Sequence, residues 1–209
     1  PPNHLGRYWN VETEIKISIL GKSRSTEKLN KTVDYLSEPC IPIKIPLSSE
    51  ELFKQPFLII YGKKEVKLSK EEIENLKEYL VNKGGFLFAD EADGIMEGGE
   101  FLSSIKEILK QALPEYPIKK IPKDHEIYRN FYELTGTPRG HAKTSGDLEG
   151  IFIDGRLAVI FSDRSYSTLW ATTGSPELGY ILEAFQFGVN VIIYAVTHGK
   201  ISDYSGYTK

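Results

Sequence analysis

Three carboxylates crowd one short stretch, Asp90-Glu91-Ala92-Asp93, directly after an apolar run that reads as a buried strand. Carboxylate oxygens are the hard ligands that Mg²⁺ and Ca²⁺ take, so Asp90, Glu91 and Asp93 offer one face of such a site. Asp163 completes it if its strand is the neighbour. Acids at a strand end also do plainer work, solvating a loop and capping the next helix, and this cluster lacks EF-hand spacing. Apart from Mg²⁺ or Ca²⁺ here, nothing in the chain points to a cofactor.

Other reactive side chains are sparse. Gly21-Lys22-Ser23 lacks the glycine a P-loop needs five residues earlier, where Lys16 stands. Lys22 and Arg24 can still meet an anion near a helix start. Cys40 is the single cysteine and precedes its strand between Pro39 and Pro42, so neither a disulfide, a thiolate metal cage nor a nucleophile elbow is available to it. Ser162 follows a strand without flanking glycines. His125 sits in a short turn where local capping accounts for it, and His198 suits the last turn of a helix as a cation. Arg139 and His141 lie in a Gly/Pro-rich loop, where function concentrates. Tyr61 and Arg164 follow strands and face the same end of the sheet.

The elements that must position these groups alternate. Residues 14–20 and 41–45 read as strands, with a helix from Ser25 between them. Residues 57–61 form a buried strand, Ser69-Lys70-Glu71-Glu72 is a capping box, and the helix it opens ends at Gly84 before a strand over 85–89. Strand, helix and strand make a right-handed βαβ unit. A helix over 100–113, a short helix over 124–131 and a loop over 135–147 follow. Residues 149–153 and 156–161 flank Asp154-Gly155, a hairpin signal. Ser175-Pro176 opens a last helix that Gly199 closes. This is an α/β fold, a three-layer α/β/α sandwich whose mostly parallel sheet has an antiparallel hairpin at one edge. One domain spans 1–199, and 200–209 is a polar tail or the start of a linker.

In such sheets ligands bind beyond the carboxyl ends of the strands. That rule selects Lys22, Arg24, Tyr61, Asp90, Glu91 and Asp163 as ligand-binding residues.

The chain has 209 residues, 26 basic and 29 acidic, a net charge of −3. That balance excludes a polybasic nucleic-acid or membrane-surface binder. The longest apolar stretches, residues 57–61, 157–161 and 191–196, are far shorter than the roughly 20 residues a bilayer crossing needs, so no transmembrane helix is expected. Pro1 suggests that an upstream segment, a signal peptide or an anchor, has been removed.

Several segments together resemble one family: Tyr61-Gly62 closing its apolar strand, Ser69-Lys70-Glu71-Glu72, Gly84-Gly85-Phe86-Leu87-Phe88-Ala89-Asp90-Glu91, Ile153-Asp154-Gly155-Arg156 and Phe187-Gly188-Val189-Asn190. In this order they look like the bacterial domain-of-unknown-function family numbered 4159. The resemblance implies a class I glutamine amidotransferase-like, flavodoxin-like sandwich, often exported or joined to membrane segments. It implies no activity. True amidotransferases of this fold carry a cysteine where this chain has Asp90-Glu91-Ala92-Asp93, so glutaminase activity is not expected.

The leading expectation is a non-catalytic binding module, exported or membrane-tethered, with a protein partner and no nucleic acid. The alternative is a metal-assisted hydrolase with Asp90, Glu91, Asp93 and Asp163 as ligands. There His125 or His141 would be the general base and Arg139 or Arg164 would stabilise negative charge.

Overall fold

The computed structural model describes residues 8–10, 44–92, 99–142, 146–171 and 179–201. The expected first strand and the helix after it, together with Lys22, Arg24, Cys40 and Asp93, lie outside the described residues.

Two three-residue strands, β1 (Tyr8–Asn10) and β2 (Lys44–Pro46), pair antiparallel. Among the described residues the main sheet has five strands, in the order β3-β4-β7-β6-β5. They are β3 (Phe57–Gly62), β4 (Phe86–Glu91), β5 (Ile118–Lys120), β6 (Glu149–Ile153) and β7 (Arg156–Ser162). β3, β4 and β7 run parallel, and β6 is antiparallel to both its neighbours. The sheet is thus open and mixed, with its parallel part in β3, β4 and β7. The edge strand β5 is missed by sequence, because Pro114 and Pro117 read only as helix breakers.

Among the described residues four α-helices accompany it: α1 (Lys70–Val81), α2 (Glu100–Ala112), α3 (Tyr166–Ala171) and α4 (Gly179–His198). The capping box forms as expected, with Ser69 Oγ accepting the Glu72 N–H and Glu72 Oε2 accepting the Ser69 N–H. The expected helix over 124–131 is only a 3-10 turn, Glu126–Tyr128. The His125 side chain caps the start of that turn by accepting the Ile127 N–H. Sequence did not anticipate α3.

Two hydrophobic clusters flank the sheet, one on each face, as strand alternation requires. Leu58, Ile60, Leu87 and Ala89 face Leu76 and Leu80 of α1 and Ile105 and Leu109 of α2. Ile59, Phe86, Phe88 and Ile160 face Trp170 of α3 and Phe187, Val191 and Tyr194 of α4. α4 is long and apolar enough to cross a membrane by length and composition, and here it packs on the sheet through those residues.

Candidate functional site

The parallel ladders bring three carboxyl-end residues into one row. Tyr61 pairs with Asp90 and Asp90 with Ser162, across β3, β4 and β7. Paired residues share a face, and this row faces α3 and α4.

Asp90 and Glu91 do not share a face. Asp90 Oδ2 accepts the backbone N–H of Ser167 at 2.7 Å, in the first turn of α3. Glu91 Oε2 accepts the backbone N–H of Leu102 at 2.8 Å, in the first turn of α2 on the other face. Adjacent strand residues point to opposite sides, so consecutive carboxylates each cap a different helix rather than converging on one ion. The residue before α2, Gly99, lies at φ 71 and has no capping side chain, which leaves that task to Glu91. Among the described residues no three His, Cys, Asp or Glu side chains come together as a metal cage.

Both carboxyls are buried, and burial raises both pKa values. For Glu91 the Leu102 N–H opposes the rise. For Asp90, fully buried, the value is pushed up to about 6. The hydroxyls of Ser162 and Ser167 and the N–H groups of Tyr166 and Ser167 offset part of that rise, and no cation figures among the groups acting on it. Neither hydroxyl meets Asp90 Oδ1 in hydrogen-bonding geometry. Asp90 Oδ1 and Ser167 Oγ are buried and unmatched among the described residues.

The turn from β7 into α3 is tightly fixed. Ser162 Oγ accepts the Arg164 N–H at 3.1 Å. Ser165 takes a left-handed φ of 54°, uncommon for a residue other than glycine, and its hydroxyl meets that of Thr168 at 2.8 Å. The loop carrying Arg139 and His141 lies against this turn. The Ala142 N–H donates to Arg164 O at 3.0 Å, Tyr166 Oη donates to Pro138 O, and Arg164 donates to Gly146 O. Arg139 stacks on the Tyr180 ring, 4.7 Å from its centroid, and His141 is exposed.

His125 is elsewhere. Its ring packs against Phe152 and Tyr194, and Tyr194 Oη accepts the Leu157 N–H at 3.0 Å, at the amino end of β7. The structure therefore brings Tyr61, Asp90, Ser162 and the Arg139–Arg164 loop contacts to one end of the sheet and leaves His125 at the other.

Asp163, one residue past β7, points with Phe161 to the α2 side and borders a cleft of about 260 Å³. Lys106, Lys120, Asp147 and Glu149 also line it. Lys106 Nζ lies 2.5 Å from Glu149 Oε2 and above the Phe161 ring. Sequence reading missed Ser167 and the three residues Lys106, Lys120 and Glu149. Strand register places Lys120 and Glu149, and the docking of α3 and α2 on the sheet places Ser167 and Lys106.

An open, mostly parallel α/β domain with buried carboxylates at its strand ends is the class these features define. A family described as a domain of unknown function, DUF4159, matches residues 24–196, and the chain belongs to that family. No curated protein matches it.

Proposed function

We propose that this domain is a non-catalytic binding module that meets a protein partner at the carboxyl ends of β3, β4 and β7. In this reading the fold is a three-layer sandwich of the class I glutamine amidotransferase kind without the nucleophile. The observation that carries it is Asp90: a fully buried carboxylate with, among the described residues, one oxygen unmatched and no cation acting on it. An asparagine could cap α3 equally well, so the charge is held at a cost that the fold does not require. Groups held at such a cost cluster at functional sites.

Two further features support binding over turnover. The one cysteine stands between prolines, away from any strand-to-helix elbow in the sequence pattern, and Asp90 and Glu91 stand back to back. Work outside the cytoplasm, exported or tethered to a membrane, belongs to the same proposal and rests on the family resemblance alone.

The test is a thermal shift panel with Mg²⁺, Ca²⁺, Mn²⁺ and Zn²⁺ on wild type and Asp90→Asn. A ligand at 100 times its Kd adds about 2.7 kcal/mol, and each kcal/mol moves Tm by roughly 2–4 °C at this size. No ion-dependent shift is expected. A shift of several degrees that vanishes in Asp90→Asn overturns the proposal in favour of metal chemistry.

A further inference from the structure

Arg139 and His141 are two polar groups that the reading of Asp90 leaves unused. Burial alternates along their loop: Pro138, Gly140 and Ala142 are buried, and Arg139 and His141 are exposed. The buried residues pin the backbone. Tyr166 Oη donates to Pro138 O, and the Ala142 N–H donates to Arg164 O at 3.0 Å. Gly140 lies against that same Arg164 carbonyl, where a Cβ would come within 2.0 Å of the oxygen. Alternation along a pinned backbone sends Arg139 and His141 out on one side, two residues apart.

Arg139 is ordered further by its stack. Its guanidinium lies 4.7 Å from the centroid of the Tyr180 ring, in the first turn of α4. Tyr180 itself packs against the cluster that holds Trp170 and Phe187. Stacking occupies the flat face of a guanidinium and leaves its N–H edge to take a carboxylate through two parallel bonds. Among the described residues no hydrogen bond or ion pair uses that edge, nor the imidazole of His141. His141 adds a ring N–H donor in either charge state. Arg129 is the contrast, exposed and with no ring beneath it among the described residues.

We infer that Arg139, seated on Tyr180 and flanked by His141, binds a carboxylate of an acidic peptide segment on the protein partner. The inference rests on the reading of this end of the sheet as a protein-binding surface, and it supplies the partner's chemistry. Arginine and tyrosine are enriched among the residues that dominate such interfaces. An arginine ordered before contact loses less freedom on binding. Its one fixed positive charge matches the single charge of a carboxylate and falls short of a phosphate's charge of nearly two.

The test follows the side-chain Nε–H resonances of Arg139 and Arg129 by NMR in the whole chain, at constant ionic strength. The probes are end-capped triglutamate, triglutamine and a phosphoserine flanked by glycines. Triglutamate is expected to give a saturable shift at Arg139, with a Kd about tenfold or more below that at Arg129. Triglutamine gives no shift, and the phosphopeptide binds no more tightly than triglutamate. Tyr180→Leu keeps the charge and removes the ring, and His141→Ala removes the second donor. Each weakens triglutamate at Arg139 about threefold or more. The second variant changes an exposed side chain without a partner among the described residues, so it leaves the fold intact. The proposal is overturned by equal Kd values at Arg139 and Arg129, by both variants binding as wild type does, or by a tighter phosphopeptide. An ion-dependent shift lost in Asp90→Asn overturns the underlying reading instead, and it is read without any peptide, so the two failures stay apart.

Discussion

Asp90 Oδ2 holds the backbone N–H of Ser167 at 2.7 Å across 77 residues of sequence, while Asp90 Oδ1 beside it has no partner among the described residues. This bond ties the middle of the sheet to the first turn of α3. The unmatched oxygen makes the carboxyl unlike an ordinary helix cap. A capping carboxylate gains from the positive end of a helix, whereas burial here outweighs that gain and favours the protonated form.

The cover over this end depends on close backbone approach at Gly140. A Cβ there would lie 2.0 Å from Arg164 O, a backbone atom that cannot rotate away. Gly140→Ala is predicted to lift the 138–142 loop off the β7–α3 turn and to destabilise the fold by about 1–3 kcal/mol. Amide hydrogen exchange at Ala142, whose N–H donates to Arg164 O, should accelerate relative to wild type. Unchanged exchange at that amide contradicts the account of the cover.

At the other end of β4, Tyr79 Oη donates to Phe86 O and accepts from Phe86 N–H, both at 3.1 Å, in a fully buried position. Tyr79→Phe is predicted to lower stability by about 1–2 kcal/mol in urea unfolding. Gly85→Ala should cost more, because its Cβ would sit 2.1 Å from the Tyr79 ring.

Much of this framework is legible in the sequence. The capping box at Ser69, the C-terminal Gly84 at φ 70 and the Asp154-Gly155 turn, both residues at positive φ, are local devices whose chemistry needs no distant partner. The site is less legible for the opposite reason. Asp90, Glu91 and Asp93 look like one cluster along the chain, yet strand alternation alone already separates Asp90 from Glu91. Ser162 and Ser167 become neighbours of Asp90 only through the β4–β7 ladder. The row of Lys120, Glu149 and Phe161 likewise needs the registers of β5, β6 and β7. The short helix α3 escaped because six residues show too little periodicity to read.

His125 provides an acid-side signature. Burial, with help from nearby His198, lowers its pKa below the ordinary 6.5, against the pull of Glu126 and Asp124. The folded state therefore favours neutral imidazole. The stability this gives is present above pH 6.5 and is lost as pH falls below that value. His125→Asn keeps an acceptor for the Ile127 N–H and removes the titration. The variant should lose less stability than wild type between pH 7.5 and pH 5 in denaturant midpoints. An equal or larger loss contradicts this assignment.

Asp90 has the opposite sign of dependence, and it tests the central claim most directly. Its folded value of about 6 stands above an ordinary 3.8, so the folded chain holds the proton longer. The contribution is fully present below about 3.8, falls as pH rises, and is gone above about 6, a difference of about 3 kcal/mol. The measurement is urea unfolding of wild type and Asp90→Asn at pH 4 and pH 7. If the charge is kept for binding and not for the fold, the variant is at least as stable as wild type at pH 7, and wild type gains on it at pH 4. A variant weaker than wild type by more than about 1 kcal/mol at pH 7 would show that the carboxylate serves the fold itself and contradict the account.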